Sequence, residues 1–139
     1  MRLNKTILLV EDDKVDAMAV KRALRDLKVT NPLEHRINGE EALEYLRANL
    51  DNPPAIVLLD LNMPRMNGLE FLKVAKADPE LRGLPVIVLT TSKEEQDRVA
   101  SYDLGVAGYM IKPVDYPQFI EVIRTIHMYW TLSELPTDR

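Results

Sequence analysis

Five side chains with complementary chemistry stand at the ends of short apolar runs that lie far apart in the chain. Glu11 and Asp12 close Ile7-Leu8-Leu9-Val10, and Asp60 closes Ile56-Val57-Leu58-Leu59. Thr90 closes Val86-Ile87-Val88-Leu89, and Lys112-Pro113 follows Tyr109-Met110-Ile111. Together they offer carboxylates, a hydroxyl and an ammonium, the groups needed to handle a phosphoryl group. A carboxylate at Asp60 can attack phosphorus and form an aspartyl phosphate. Three neighbouring carboxylates repel unless neutralised. A hard divalent cation does this, and Mg²⁺ favours a few carboxylates plus waters and phosphate oxygens. Thr90 supplies one hydroxyl donor. Lys112 supplies a compact positive charge that can pair with Asp60 at rest and with phosphate afterwards. Taken singly, each residue has a plainer reading: an acidic loop, a β-branched strand end, a surface lysine. Pro113 favours the functional reading of Lys112, because a proline there fixes the loop that aims it, with a cis bond as one option. The ordered set favours a single site.

Such a site requires elements that bring these ends together. Short, continuously apolar runs read as strands buried on both faces. They occur near residues 7–10, 56–59, 86–89 and 108–111, with a weaker one at 33–37. Between them the apolar period changes to helical. Val20, Ala23, Leu24 and Leu27 form one stripe, with Asp13 placed to N-cap its helix and Asp16 in its first turn. Further helices are expected at Glu40–Asn49, at about Gly68–Ala77, at roughly Lys93–Tyr102, and from Tyr116 through Phe119, Ile120, Ile123, Ile126 and Trp130. Five strands alternating with five helices predict an α/β fold, a doubly wound parallel sheet with helices on both faces. In such sheets chemistry collects outside the carboxyl ends of the strands.

The bulk composition narrows the function classes. With 139 residues the chain reads as one domain, 1–139, with a core at about 5–130 and an extension at 131–139. It is 46% hydrophobic and 29% charged, with a formal net charge of −4 and no basic run, which argues against general nucleic-acid binding and predicts no DNA-binding domain. No cysteine is present, so disulfides and thiolate metal sites are excluded. Met1 to Lys5 form no apolar leader, and no apolar stretch is long enough to span a bilayer, so a cytoplasmic protein without membrane contact is expected.

The motifs Ile7-Leu8-Leu9-Val10-Glu11-Asp12-Asp13, Leu59-Asp60-Leu61-Asn62-Met63-Pro64 with Asn67-Gly68, Val88-Leu89-Thr90-Thr91, and Gly108-Tyr109-Met110-Ile111-Lys112-Pro113 resemble those of the response-regulator receiver domains. The resemblance covers nearly the whole chain. It implies a flavodoxin-like strand order, 2-1-3-4-5, and a phosphorylation-dependent switch without an output domain. By the same resemblance, a histidine kinase or phosphotransfer protein would deliver the phosphoryl group to Asp60. Asp12, Asp60 and the backbone carbonyl of Asn62 would hold Mg²⁺, with Glu11 completing the acidic pocket. Thr90 and Lys112 would contact the phosphoryl group, and Tyr109 would be the aromatic switch that turns inward when Thr90 shifts. Two positions depart from the usual pattern: Glu11 stands where Asp is commoner, and Thr91 where a small residue is frequent. Leu104-Gly105-Val106 and the Tyr129-Trp130 segment also resemble the stand-alone regulators associated with bacterial phytochromes.

A phosphatase of the haloacid dehalogenase type is the alternative from another class, since it also uses a strand-end Asp, Mg²⁺, a hydroxyl and a Lys. It needs an acid/base Asp two residues after the nucleophile; Asn62 occupies that place and cannot transfer a proton. No segment provides a cap domain either. A switch of this kind needs a downstream protein target. The last helix carries more apolar residues than a five-stranded core needs. Either the extension folds back and caps its own domain, or the helix and the extension form a homodimer anchored on Trp130, and the homodimer is the expectation.

Overall fold

The structure, a computed structural model, describes residues 5–132. Ten elements alternate strictly: β1 (Ile7–Val10), α1 (Lys14–Asp26), β2 (Leu33–Arg36), α2 (Gly39–Ala48), β3 (Ile56–Leu59), α3 (Gly68–Ala77), β4 (Val86–Thr90), α4 (Glu95–Asp103), β5 (Gly108–Ile111) and α5 (Tyr116–Leu132). All strand pairs are parallel, in the order β2-β1-β3-β4-β5. This is the doubly wound, flavodoxin-like sheet that the motifs imply.

The alternation of side chains along each strand divides the core into two layers. Leu8, Val10, Val57, Leu59, Val86 and Val88 face one side and pack with α2 and α3 through Ala42, Leu46, Phe71 and Leu72. Ile7, Leu9, Ile56, Leu58, Ile87 and Leu89 face the other, against α1 and α5 through Ala17, Val20, Ala23, Phe119, Ile123, Ile126 and Trp130. The three central strands are buried throughout, whereas edge strand β2 reads Leu-Glu-His-Arg and is half-buried.

Helix starts follow local chemistry. The Asp13 side chain accepts from the N–H groups of Val15 and Asp16 and caps α1. Asn67 and Glu70 form a reciprocal capping box at α3. α4 begins at Glu95, two residues later than its polar run predicts, because Glu94 is extended and its N–H goes to the Ser92 hydroxyl (3.3 Å). The bond before Pro113 is trans.

The end of α5 corrects one expectation. Trp130 is 1% exposed and lies in the core with Ile126, its ring edge-on to His127, so it cannot anchor an interface between copies. The reason is its spacing: Phe119, Ile123, Ile126 and Trp130 repeat at helical intervals, and the stripe simply continues onto the sheet. Met128, Tyr129 and Leu132 are the exposed apolar residues of this segment. Residues 133–139 of the expected extension lie outside the described residues. Among the described residues no helix is long and apolar enough to cross a membrane.

Candidate functional site

The carboxyl ends of β1, β3, β4 and β5 meet at one edge of the sheet, and backbone bonds lock them there. Asp60 N–H donates to the Val10 carbonyl (3.0 Å), which sets Asp60 beside Glu11. Lys112 N–H donates to the Thr90 carbonyl (2.8 Å), which ties the end of β5 to β4. Gly68 N–H donates to the Leu61 carbonyl (3.0 Å) and folds the loop after Asp60 back on itself before α3 begins. The predicted residues Glu11, Asp12, Asp60, Thr90 and Lys112 are thereby brought to one cleft. Asn62 lies on the exposed loop that follows Asp60.

Glu11, Asp12 and Asp60 each present a carboxylate oxygen within 4.8 Å of the others. Asp60 is buried, and its Oδ1 has no hydrogen-bond partner. A buried carboxylate oxygen without a donor is costly, and here it faces two further carboxylates. That donor set fits a hard divalent cation. Glu11 is more fully engaged. Its Oε1 takes the Lys112 ammonium at 2.5 Å and its Oε2 the Asp13 N–H at 3.2 Å. Burial raises the Glu11 pKa to about 7, with the Asp60 charge acting in the same direction and Lys112 opposing both.

The Lys112 side chain is 6% exposed. Its Nζ lies 2.5 Å from Glu11 and 2.8 Å from Asp16, but 3.9 Å from Asp60. The expected resting pair with Asp60 is thus the longest of three ion pairs. Burial alone would lower the lysine pKa; the bonds to Asp16 and Glu11 and the Asp60 charge outweigh it and hold the pKa above its ordinary value. Asp16 is the site residue that sequence reasoning missed. Its place in the first turn of α1 was legible as a favourable dipole contact, but its pairing with a lysine 96 residues away was not.

Thr90 is fully buried, and its Oγ1 accepts the Ser92 N–H at 3.3 Å. Tyr109 is half-buried on β5 and its hydroxyl donates to the Ser92 carbonyl (3.0 Å). The tyrosine therefore reports on the β4–α4 loop, one residue pair away from Thr90.

This cleft, at the carboxyl edge of a doubly wound sheet, is the arrangement of a phosphoryl-accepting signalling domain. The family model for the response regulator receiver domain matches residues 7–124, and the chain belongs to that family. It is accordingly a phosphorylation-dependent signalling switch, of a kind that is not in general an enzyme, and the phosphatase alternative falls away.

Among particular relatives, the probable methanogenesis regulatory protein FilR2 of Methanothrix harundinacea is 39% identical over 127 residues, 89% of this chain and 82% of its own. Response regulator Rcp1 of Synechocystis is 36% identical over 130 residues, 91% of this chain and 88% of its own. The Mn(2+)-bound form of Rcp1 superimposes with a TM-score of 0.85 at 35% identity, covering 96% of this chain and 99% of that one. The phosphorylated cyanobacterial phytochrome response regulator RcpA superimposes with a TM-score of 0.89 at 38% identity, with the same coverage of both chains.

Proposed function

We propose that Asp60 is the phospho-acceptor and that a histidine kinase or phosphotransfer protein is the donor. The observation that carries this reading is the buried, unpartnered Oδ1 of Asp60, held 3.9 Å on its other oxygen from a buried lysine. An Asp60 carboxylate oxygen attacks phosphorus, the phosphorus–nitrogen bond of a phosphohistidine breaks, and an acyl phosphate forms. Lys112 and the Thr90 hydroxyl then bond two of the phosphoryl oxygens. Asp12, Asp60 and the Asn62 carbonyl would hold Mg²⁺, with Glu11 adjoining. Bound there, the ion would neutralise the clustered carboxylates and the incoming charge.

The surface beside the cleft supports a protein donor. Val15 and Met18 on α1 are 75% and 67% exposed, and Val114, two residues after Lys112, is fully exposed. Apolar side chains collected around a polar centre mark an interaction site. We place the protein in the cytoplasm, where such donors draw on ATP, and assign transmission of the signal to contact with a downstream protein target. A homodimer remains part of the reading through Met128, Tyr129 and Leu132, which with Thr125 line an open apolar surface on α5.

The test is labelling with acetyl phosphate and Mg²⁺, read by intact mass. One hydroxylamine-labile phosphate per chain is expected, and none in Asp60→Asn. Equal labelling of that variant overturns the assignment. A manganese or magnesium titration of Asp12→Ala, expected to weaken binding more than Glu11→Ala, checks the metal set.

A further inference from the structure

Asp60 lacks a bond that its neighbour could give it. Its Oδ1 is buried without a hydrogen-bond partner, and the Lys112 ammonium stops 3.9 Å from its Oδ2. A charge-assisted N–H···O bond spans about 2.7–2.9 Å, so the gap is about 1 Å too wide. The cause lies on the other sides of the ammonium. Glu11 Oε1 takes it at 2.5 Å and Asp16 Oδ2 at 2.8 Å. Glu11 follows β1, next to Asp60, but Asp16 draws the lysine from a different element, the first turn of α1. That turn is fixed in place, because Asp16 N–H donates to Asp13 Oδ1 (3.0 Å), the side chain that caps the helix. The Glu11, Lys112 and Asp60 side chains are all buried, whereas that of Asp16 is 37% exposed. Asp16 also lies outside the three carboxylates that cluster as a cation site. Its carboxylate is therefore free of any part in holding metal or phosphoryl group.

We propose that Asp16 is a positioning residue: its carboxylate holds the Lys112 ammonium off Asp60, which keeps the attacking carboxylate unbonded and the ammonium within reach of the group that Asp60 receives. This deepens the acceptor role of Asp60 given above and rests on it. An ammonium has three N–H donors. Glu11 and Asp16 take two of them, and the third remains for a phosphoryl oxygen. No bond made at rest has to break when the phosphoryl group arrives. Without Asp16, Lys112 has a donor to spare beside a buried carboxylate that lacks one. An orphaned buried oxygen is costly, so the ammonium closes the gap onto Asp60. A carboxylate bonded in that way is a weaker nucleophile, and the lysine must first be drawn off it. Asp16 touches no reacting atom in this scheme and acts only through Lys112.

The experiment measures the rate of labelling of the intact chain by acetyl phosphate at saturating Mg²⁺, read by intact mass, in Asp16 variants with and without the lysine. One hydrogen bond between charged groups, discounted for the partial exposure of Asp16, corresponds to about a three- to tenfold change, and Asp16→Ala should label more slowly by that factor. Asp16→Asn, whose amide oxygen still accepts from Nζ without carrying charge, should recover most of the loss. In a Lys112→Met background, Asp16→Ala should change nothing further, because its effect passes through the lysine. A general loosening of α1 would instead slow labelling in both backgrounds. Labelling of Asp16→Ala at the wild-type rate or faster overturns the spacing role; faster labelling of Asp16→Ala and Asp16→Asn alike would show that Asp16 merely repels the incoming charge. Slowing that persists in Lys112→Met, or an Asp16→Asn protein as slow as Asp16→Ala, overturns it too. Each of these results leaves the acceptor assignment intact. A wild type that takes no label, or an Asp60→Asn protein labelled as fast as the wild type, overturns both.

Discussion

Gly68→Ala offers a sharp test of how the loop after Asp60 is held. Gly68 is the first residue of α3, and its backbone lies hard against the end of β3. A Cβ added there would fall 2.6 Å from the Asp60 carbonyl oxygen, 2.7 Å from Leu61 Cα and 2.9 Å from Leu61 Cδ2. Two of the three neighbours are backbone, so no rotamer change relieves the contact. To regain an ordinary 3.4 Å separation, the first turn of α3 must retreat by about 0.8 Å. Overpacking of this kind costs about 1–3 kcal/mol. Replacing glycine also stiffens the unfolded chain, which returns about 0.4–1 kcal/mol. A net loss of about 1–2 kcal/mol in urea unfolding is expected. The displaced segment carries Asp60 and Asn62, and a misplacement approaching 1 Å lowers reaction rates by up to about 100-fold. Labelling by acetyl phosphate should therefore slow by about one to two orders of magnitude at saturating Mg²⁺. Gly83 is the control: a Cβ there meets nothing within 4 Å, and Gly83→Ala should stabilise by about 0.4–1 kcal/mol with an unchanged labelling rate. A Gly68→Ala protein as stable as the wild type and labelled at the same rate would refute the close-approach argument.

Trp130→Ala should lose about 3–5 kcal/mol in chemical denaturation, because it empties a large buried site. Its sedimentation should match the wild type wherever both are folded. A change in association with stability intact would restore Trp130 to an interface. His127 is kept neutral by burial, which lowers its pKa from 6.5, and its Nδ1 is buried without a hydrogen-bond partner. Its contribution to stability is present above pH 6.5 and is lost as pH falls through the folded value, since the unfolded chain takes up the proton first. Melting temperature measured against pH should fall less steeply below 6.5 in His127→Phe, and parallel curves would contradict the assignment.

The elements and the main site were legible because each site residue ends an apolar run. The runs at Ile7, Ile56 and Val86 are buried on both faces, so they admit only central strands. What escaped the sequence depends on distances between segments that no local pattern encodes. The three carboxylates around Lys112 come from α1 and from two strand ends, and only the folded geometry shows that Asp16 lies closer to it than Asp60 does. Ser92 reads locally as a turn residue, and its four bonds converge from Thr90, Glu94, Asp97 and Tyr109 only once β4, β5 and α4 are in place. Trp130 is a different case. Its spacing from Phe119, Ile123 and Ile126 already placed it on the buried stripe, and an abundance of aromatic and aliphatic neighbours outweighed that periodicity.

The sheet has a consequence for how this protein can change over generations. Side chains of its two core layers touch different helices and meet only through strand backbone. Substitutions more than about 7–10 Å apart with no shared partner combine additively. A pair such as Phe71 on one layer and Ile123 on the other should therefore mutate independently. Substitutions beneath the face formed by α1 and α5 can accumulate while the layer beneath α2 and α3 stays unchanged. Only the carboxyl edge, where Asp60, Thr90 and Lys112 converge, belongs to both halves. Drift on either surface is bounded there by the same few atoms, so new wiring on one side need not retune the other.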